Sequence, residues 1–342
     1  MKPILITGGA GFVGSNLAAA LASSGNDVII ADNFSRPGVT KNVEWLRSRY
    51  GNRILIHGVD IRNQNILPPL VSGVGGVLHL AAQVAVTTSL KSPIEDFEIN
   101  ARGTLNVLET VRTYNPEVPV IFASTNKVYG RLFEDYEVEI VGDRYRPRDE
   151  KYRHGVDESA PLDLHSPYGC SKGAADQYVL DYARVYDLRT AVIRMSCIYG
   201  PRQFGTEDQG WVAHFLIRAI EGRPITIYGD GYQVRDILYV EDAVRAWLGI
   251  FSNIDDVKGK VFNLGGGPGN AVSLRELLQI ISRLDERKPE VTFEEWRSGD
   301  QPWYVSDIRK ISRAVNWSPQ VGVEKGVAAL HRWLYEMRES VH

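Results

Sequence analysis

Tyr168 and Lys172 stand four residues apart, a spacing that puts both side chains on one face of a helix beginning after Pro167. A lysine ammonium beside a tyrosine lowers the phenol's pKa from its reference of about 10, and the phenolate can then take a proton from a hydroxyl. Ser124 and Thr125 follow a short apolar run, and Thr125 could hydrogen-bond the same hydroxyl and hold it in line. Taken alone, Tyr-x-x-x-Lys is an ordinary pair on a helix surface. With a hydroxyl residue ahead of it, the set Thr125, Tyr168 and Lys172 becomes a candidate catalytic centre for proton transfer.

A second constellation opens the chain, where the apolar run at 4–7 leads into Gly8-Gly9-Ala10-Gly11-Phe12-Val13-Gly14 and then a helical pattern. The first glycine makes the tight turn, the middle one lets backbone approach a pyrophosphate at the helix N-terminus, and the last lets helix and strand pack closely. A plain strand-helix turn is the bland alternative. Asp32, at the end of the next strand, favours the dinucleotide, because its carboxylate can hold a ribose hydroxyl pair. That charge would repel a 2′-phosphate, so NAD is the expected cofactor, with Arg36 close by leaving NADP open. Asp60, after the third strand, either meets the adenine amino group or is a surface acid. Asn33 and Ser35 beside Asp32, Ile61 beside Asp60, and Phe12 and Val13 in the loop complete the contacts expected on this side. The positive nicotinamide would help Lys172 lower the Tyr168 phenol.

The elements that must position these residues are readable from hydrophobic period. Short β-branched runs at 4–7, 28–31, 54–57, 77–80 and 120–123 alternate with helical patterns at 12–24, 42–49 and 93–114, the signature of a parallel sheet with crossover helices. Residues 131–156 break the pattern: 13 of these 26 are Asp, Glu, Lys or Arg, which reads as a solvated insertion, with a lid or an oligomer contact as its alternatives. A helix at 168–186 and a strand at 190–195 follow. The expected fold is α/β, a Rossmann-type doubly wound parallel sheet with a smaller mixed α/β substrate-binding C-terminal domain. The cofactor domain is expected at 1–190 and the substrate domain mainly at 191–342, with about 232–262 returning to the first.

Composition narrows the function. With 342 residues, 44% hydrophobic, the chain buries a large core. Its 39 basic and 42 acidic residues are dispersed, so no positive field would hold nucleic acid or an anionic membrane, and neither is an expected partner. Cys170 and Cys197 alone suit a reducing compartment without disulfides. Glycines interrupt the N-terminal run where an export signal needs an unbroken apolar stretch, so a soluble cytoplasmic protein is expected. No metal is expected.

In this order, the dinucleotide loop, the hydroxyl residue after the fifth strand and Tyr-x-x-x-Lys on the next helix resemble the short-chain dehydrogenase/reductase superfamily over essentially the whole chain. His79-Leu80-Ala81-Ala82, Asn100 with Gly103-Thr104, Arg194 to Pro201, Gly229-Asp230-Gly231, Arg235-Asp236 and Val240-Glu241-Asp242 resemble its extended, nucleotide-sugar branch. The resemblance implies that Leu80, Ala81 and Ala82 lie against the nicotinamide side, with Asn100 and Ser124 also on the cofactor and Lys172 on a nicotinamide ribose. It places Arg235 on the diphosphate of a nucleotide-diphosphate sugar, and Arg297 with Asp300 on phosphate and ribose. Two arginines make a reasonable diphosphate clamp, with plain surface solvation the alternative for Arg297. Gln83, Asn126, Gln209 and Tyr228 join Thr125 and Tyr168 as expected substrate contacts.

The branch contains dehydratases, 4-epimerases, decarboxylases and 2-epimerases. Its dehydratases carry an Asp-Glu pair where this chain has Asn126-Lys127, so elimination lacks its acid and base. The run Ser124 to Gly130, Asp157-Glu158-Ser159, His165 to Tyr178, and Arg202-Gln203-Phe204 with Asp208 to Val212 closely resemble the branch's CDP-sugar 2-epimerases. That implies inversion at C2 of a CDP-3,6-dideoxyhexose by transient oxidation and hydride return to the opposite face, with NAD tightly held. A 2-epimerase of GDP- or UDP-hexoses and a sugar-nucleotide 4-epimerase stay open. From another class, a non-catalytic NAD-binding regulator would have little need of Thr125, Tyr168 and Lys172 together. Cys197 stands where many relatives have an asparagine facing the substrate phosphates, so the contacts there must differ. Relatives are commonly dimers through two helices of the cofactor domain, so a homodimer or higher homo-oligomer is expected, with 93–114 as its candidate face.

Overall fold

Five of the β-branched runs form parallel strands, β1 (Ile4–Thr7), β2 (Val28–Asp32), β3 (Ile54–Gly58), β4 (Gly76–His79) and β5 (Val120–Thr125), in a computed structural model describing residues 2–134, 137–284, 289–297 and 300–339. Strands Thr190–Met195 and Val261–Leu264 extend the sheet beyond β5. Its order is Val261–Leu264, Thr190–Met195, β5, β4, β1, β2, β3. Successive β1 residues point to opposite faces, Ile4 and Ile6 into one core with Leu17 and Trp247, and Leu5 into another with Val107 and Val179. Burial on both faces is why β1, β4 and β5 read as continuous apolar runs, while β3 at the sheet edge leaves Leu55 exposed. The direction of winding reverses at β1, between β2 and β4, and a crevice opens there at the carboxyl ends of the strands. The architecture is the expected α/β one: a doubly wound parallel sheet plus smaller mixed sheets.

Two of the smaller sheets lie in the C-terminal half. Ile225–Tyr228 pairs with Val291–Glu294, and Val234–Tyr239 pairs with Cys197–Tyr199, Ala271–Ser273 and Trp303–Tyr304. Helices Trp211–Ile220, Leu274–Leu284 and Val323–Glu339 contribute Leu216, Leu277 and Leu330 to the core between them. The helix Val240–Ser252 instead sends Trp247 into the core of the large sheet.

Four expectations are corrected. β5 runs through Thr125, so Ser124 and Thr125 are its last residues rather than loop, while β4 stops at His79. The helix at 93–114 is three pieces, Pro93–Phe97, a π-helical turn Glu98–Arg102, and Gly103–Tyr114; the wide turn holds the buried Asn100 side chain toward Gln83 and Ser171. The later helix begins at Ser166, with Pro167 inside its first turn, where a missing N–H costs nothing. Finally, 131–156 is not a solvated loop. Its strands Val138–Val141 and Arg144–Pro147 form a hairpin around Gly142, whose φ is +61°. Arg144 binds Glu276 at 2.6 and 2.7 Å, the Tyr145 N–H donates to the Tyr232 carbonyl, and Phe133, Val138 and Val156 are buried with Trp303 and Tyr304. The charges alternate with these apolar residues, so charge density hid a half-buried hairpin. Asp135 and Tyr136 lie outside the described residues. No described helix is long and apolar enough to cross a membrane.

Candidate active site

The glycine turn between β1 and the helix Phe12–Ser23 borders a cleft of about 520 Å³. Gly8 has φ +69°, and a Cβ there would fall 2.7 Å from the Ala81 nitrogen. A Cβ on Gly14 would meet the Gly8 carbonyl oxygen and lie 2.8 Å from the Gly9 Cα. Glycine therefore lets strand, turn and helix close on one another. Gly11 caps the helix with no side-chain hydrogen bond, leaving its N-terminal N–H groups to an anion. Asp32, whose carboxyl burial holds above its usual range, accepts from the Ala10 and Phe34 N–H groups at 3.1 and 2.9 Å. This cradle and its acid fit a dinucleotide.

Every residue expected on the cofactor lines this cleft except Asn100. Asn100 is fully buried behind it, donating to the Gln83 carbonyl at 3.0 Å and accepting from the Gln83 N–H at 2.9 Å, so it braces the wall instead of touching the cavity. Asp60 lines the cleft while Arg62 and Asn33 bind its oxygens, and the Arg62 hydrogen bonds hold its carboxyl down at about 2. Arg36 reaches across to the Gln209 side-chain oxygen. His79 lies outside both cavities: it bonds Thr7 at 2.6 Å and Thr104 at 3.0 Å, and burial pushes it down to about 3, which keeps it neutral.

On the other side of Tyr168 lies a second cavity of about 500 Å³. Thr125, Asn126, Gln209, Tyr228, Arg235, Arg297 and Asp300 line it, and Ser124 and Tyr168 line both cavities. Burial pushes the Tyr168 phenol up to about 12, against the lowering influence of Thr125. Burial likewise pulls Lys172 down to about 7 against the pull of Asp176 and Asp96, and its Nζ sits 4.1 Å from the Phe122 ring centroid. The expectation that Lys172 depresses the phenol is therefore corrected for the chain alone. Desolvation dominates, and the cation that lowers Tyr168 is Arg36.

Gln83 does not line the second cavity. Its amide donates to Asp96 at 2.7 Å and to the Ala85 carbonyl, and its oxygen accepts from the Ala85 N–H, so the side chain is spent shaping its own loop. Asp300 bonds Arg235 at 2.6 Å and lies 3.5 Å from Lys127. Arg297 instead stands 3.9 Å over the Tyr228 ring and meets Glu207, whose side chain also bonds the Tyr228 hydroxyl. Arg297 and Asp300, both expected on phosphate and ribose, thus line one cavity with different side-chain partners, while the Asp300 N–H donates to the Arg297 carbonyl at 3.1 Å. Sequence reasoning missed three wall residues as contacts. Lys127, pulled down by burial, shares Asp300; Glu207 holds Arg297; and Trp211 donates to the Cys197 sulfur at 3.3 Å. Lys127 and Trp211 fall within runs singled out above, and only their direction of projection was hidden.

A phenol buried between a cleft that fits a dinucleotide and an arginine-lined cavity is an arrangement suited to a dinucleotide-dependent α/β enzyme, and comparison gives its class. The model of the NAD dependent epimerase/dehydratase family matches residues 4–265, and the chain belongs to that family. Within it, the chain is 47% identical to CDP-paratose 2-epimerase of Salmonella typhi over 337 residues, 96% of this chain and 98% of that one. Its structure is similar to UDP-glucose 4-epimerase of Thermotoga maritima with UDP-glucose, at TM-score 0.84 and 30% identity over 99% of this chain and 100% of that one. It is also similar to UDP-glucose 4-epimerase of Thermus thermophilus in complex with NAD, at TM-score 0.80 and 30% identity over 97% and 99% of the two chains.

Proposed function

We propose that the protein is a nucleotide-sugar 2-epimerase that interconverts CDP-paratose and CDP-tyvelose with tightly held NAD. The observation that carries this reading is Tyr168, a buried phenol at the junction of the two cavities with Thr125 in the wall beside it. The likeness to CDP-paratose 2-epimerase supports the choice of substrate. The turn Gly8 to Gly14 would hold the cofactor's pyrophosphate, Asp32 its adenosine ribose, and Lys172 its nicotinamide ribose. When bound, NAD would accept a hydride from C2 and give it back.

The chain's own part is to position the sugar and move one proton. Tyr168 takes the C2 hydroxyl proton as C2 becomes a ketone, and returns it to that oxygen after the sugar has presented its other face. A phenol at about 12 is a poor donor of its proton, so it becomes a base at neutral pH only beside added positive charge, which the oxidised nicotinamide carries. Thr125 aligns the reacting hydroxyl. Arg235 and Arg297 take the diphosphate, about whose bonds the sugar turns between the two half-reactions. Asn126 and Lys127 leave this wall without the carboxylate pair that elimination would need.

Proton NMR of CDP-paratose with the purified protein and no added NAD tests the reading through the H1–H2 coupling. Appearance of the C2 epimer supports it; an unchanged spectrum, or inversion at C4, overturns it. A 4-epimerase is the second reading, favoured by the UDP-glucose 4-epimerases among the structural relatives. We further propose a homodimer or larger homo-oligomer through the face where Ile94, Phe97, Tyr178 and Val185 are exposed. A cytoplasmic setting accords with the two free cysteines.

A further inference from the structure

Asp96, in the helix Pro93–Phe97, is 1% exposed and has no part in the mechanism above. Its carboxylate accepts hydrogen bonds from the Gln83 amide at 2.7 Å, the Asn100 amide at 3.2 Å and the Ser171 hydroxyl. All three donors are uncharged. A carboxylate this deeply buried is costly unless a cation stands near it, and Ser171 immediately precedes Lys172. Asp176 also faces Lys172, one turn along its own helix, yet both Asp176 oxygens are already held by Arg194 at 2.9 Å. Asp96 therefore brings to Lys172 a negative charge that no guanidinium shares.

The same carboxylate ties two walls together. Gln83 and Ala85 line the cofactor cleft, and Ser171 lies on the catalytic helix between Tyr168 and Lys172. Asn100 closes the network by donating to the Ser171 Oγ at 3.1 Å.

We propose that Asp96 is a positioning residue of the active site: it clamps the loop at 83–85 to the catalytic helix through Ser171 and so sets a carboxylate against the turn that carries Lys172. Lys172 is faced by Asp176 on its own helix, by Asp96, by neutral His79 on β4 and by the Phe122 ring on β5. Tyr168 is faced by Thr125, Asp96 and Arg36, and there the Asp96 charge opposes ionisation. One carboxylate thus favours the charged lysine, against the burial that pulls it down, and the protonated phenol. The inference deepens the functional reading above, from which the roles of Lys172 and Tyr168 come.

The test reads Lys172 directly and needs no substrate. With lysines isotopically labelled at the ε-carbon in the purified full chain, the Lys172 resonance is identified by its loss in Lys172→Met and followed through pH. In the wild type it is expected to titrate near neutrality. In Asp96→Asn and Asp96→Ser the midpoint is expected to fall by about one pH unit, the effect of removing one nearby charge. Ser171→Ala, which cuts the tether and keeps the charge, is expected to leave the midpoint in place while lowering turnover. A folded neutral variant with the wild-type midpoint overturns the proposal, as does failure of both Asp96 variants to fold, which would make the residue a purely structural one. Absence of 2-epimerase activity in the wild type would refute the functional reading without touching this result.

Discussion

Arg194→Met probes the interior beneath the catalytic helix. The Arg194 and Asp176 side chains are 3% and 0% exposed, and two hydrogen bonds of 2.9 Å join them. A third bond, 3.0 Å, runs from the guanidinium to the Tyr129 hydroxyl. Methionine keeps much of the volume but leaves Asp176 with only the Ser124 hydroxyl at 2.7 Å and the Gln177 amide at 2.9 Å. Stranding one member of a buried ion pair costs about 3–5 kcal/mol, and the lost Tyr129 bond adds about 1 kcal/mol. The expected loss is about 4–6 kcal/mol, or roughly 8–12 °C in melting temperature at about 2 °C per kcal/mol for a chain of this size. Calorimetry on Arg194→Met, Asp176→Asn and the double variant reads it. The double variant should recover part of the loss, because the stranded charge is gone. A single variant within about 1 kcal/mol of wild type, or a double variant no more stable than Arg194→Met, would refute the reasoning.

Tyr168→Phe should cut turnover by about 10²–10⁴ while the bound nucleotide, read by absorbance, stays at its wild-type content; full turnover would remove Tyr168 from the mechanism. Gly14→Ala sets a methyl against backbone on two sides, the Gly8 carbonyl and the Gly9 Cα, so a loss of about 1–3 kcal/mol and less copurifying NAD are expected. Burial holds Lys172 at about 7 against 10.5 for the free side chain. The unfolded chain thus binds that proton more tightly, and the lysine's contribution makes stability rise with pH between those two values. Denaturation of wild type and Lys172→Met across that window should show the rise only in the wild type, and parallel curves would contradict it.

What could be read in advance was local. The glycine turn after β1, Asp32 at the end of β2 and the four-residue spacing of Tyr168 and Lys172 each depend on residues a few positions apart, and alternation within each short run marks its strand. The hairpin at 138–147 was hidden because charged and apolar residues alternate along it and the partners that fix it, such as Tyr232, Glu276 and Trp303, lie more than 80 positions away. The π-helical turn at Asn100 was hidden for a similar reason: its cause is a set of hydrogen bonds to Gln83 and Ser171, not its own helical period.

The sequence by itself determined the order of the large sheet's strands and helices through 195, the dinucleotide turn and the candidate proton-transfer residues, because backbone geometry and side-chain period act over a few residues. The tertiary structure alone decided which polar groups meet. Asp300 went to Arg235 and Lys127, Arg297 to Glu207, and Gln83 to Asp96. It also set the protonation of the centre, lifting Tyr168 and lowering Lys172, because desolvation and the field of distant charges depend on what the fold packs around a group.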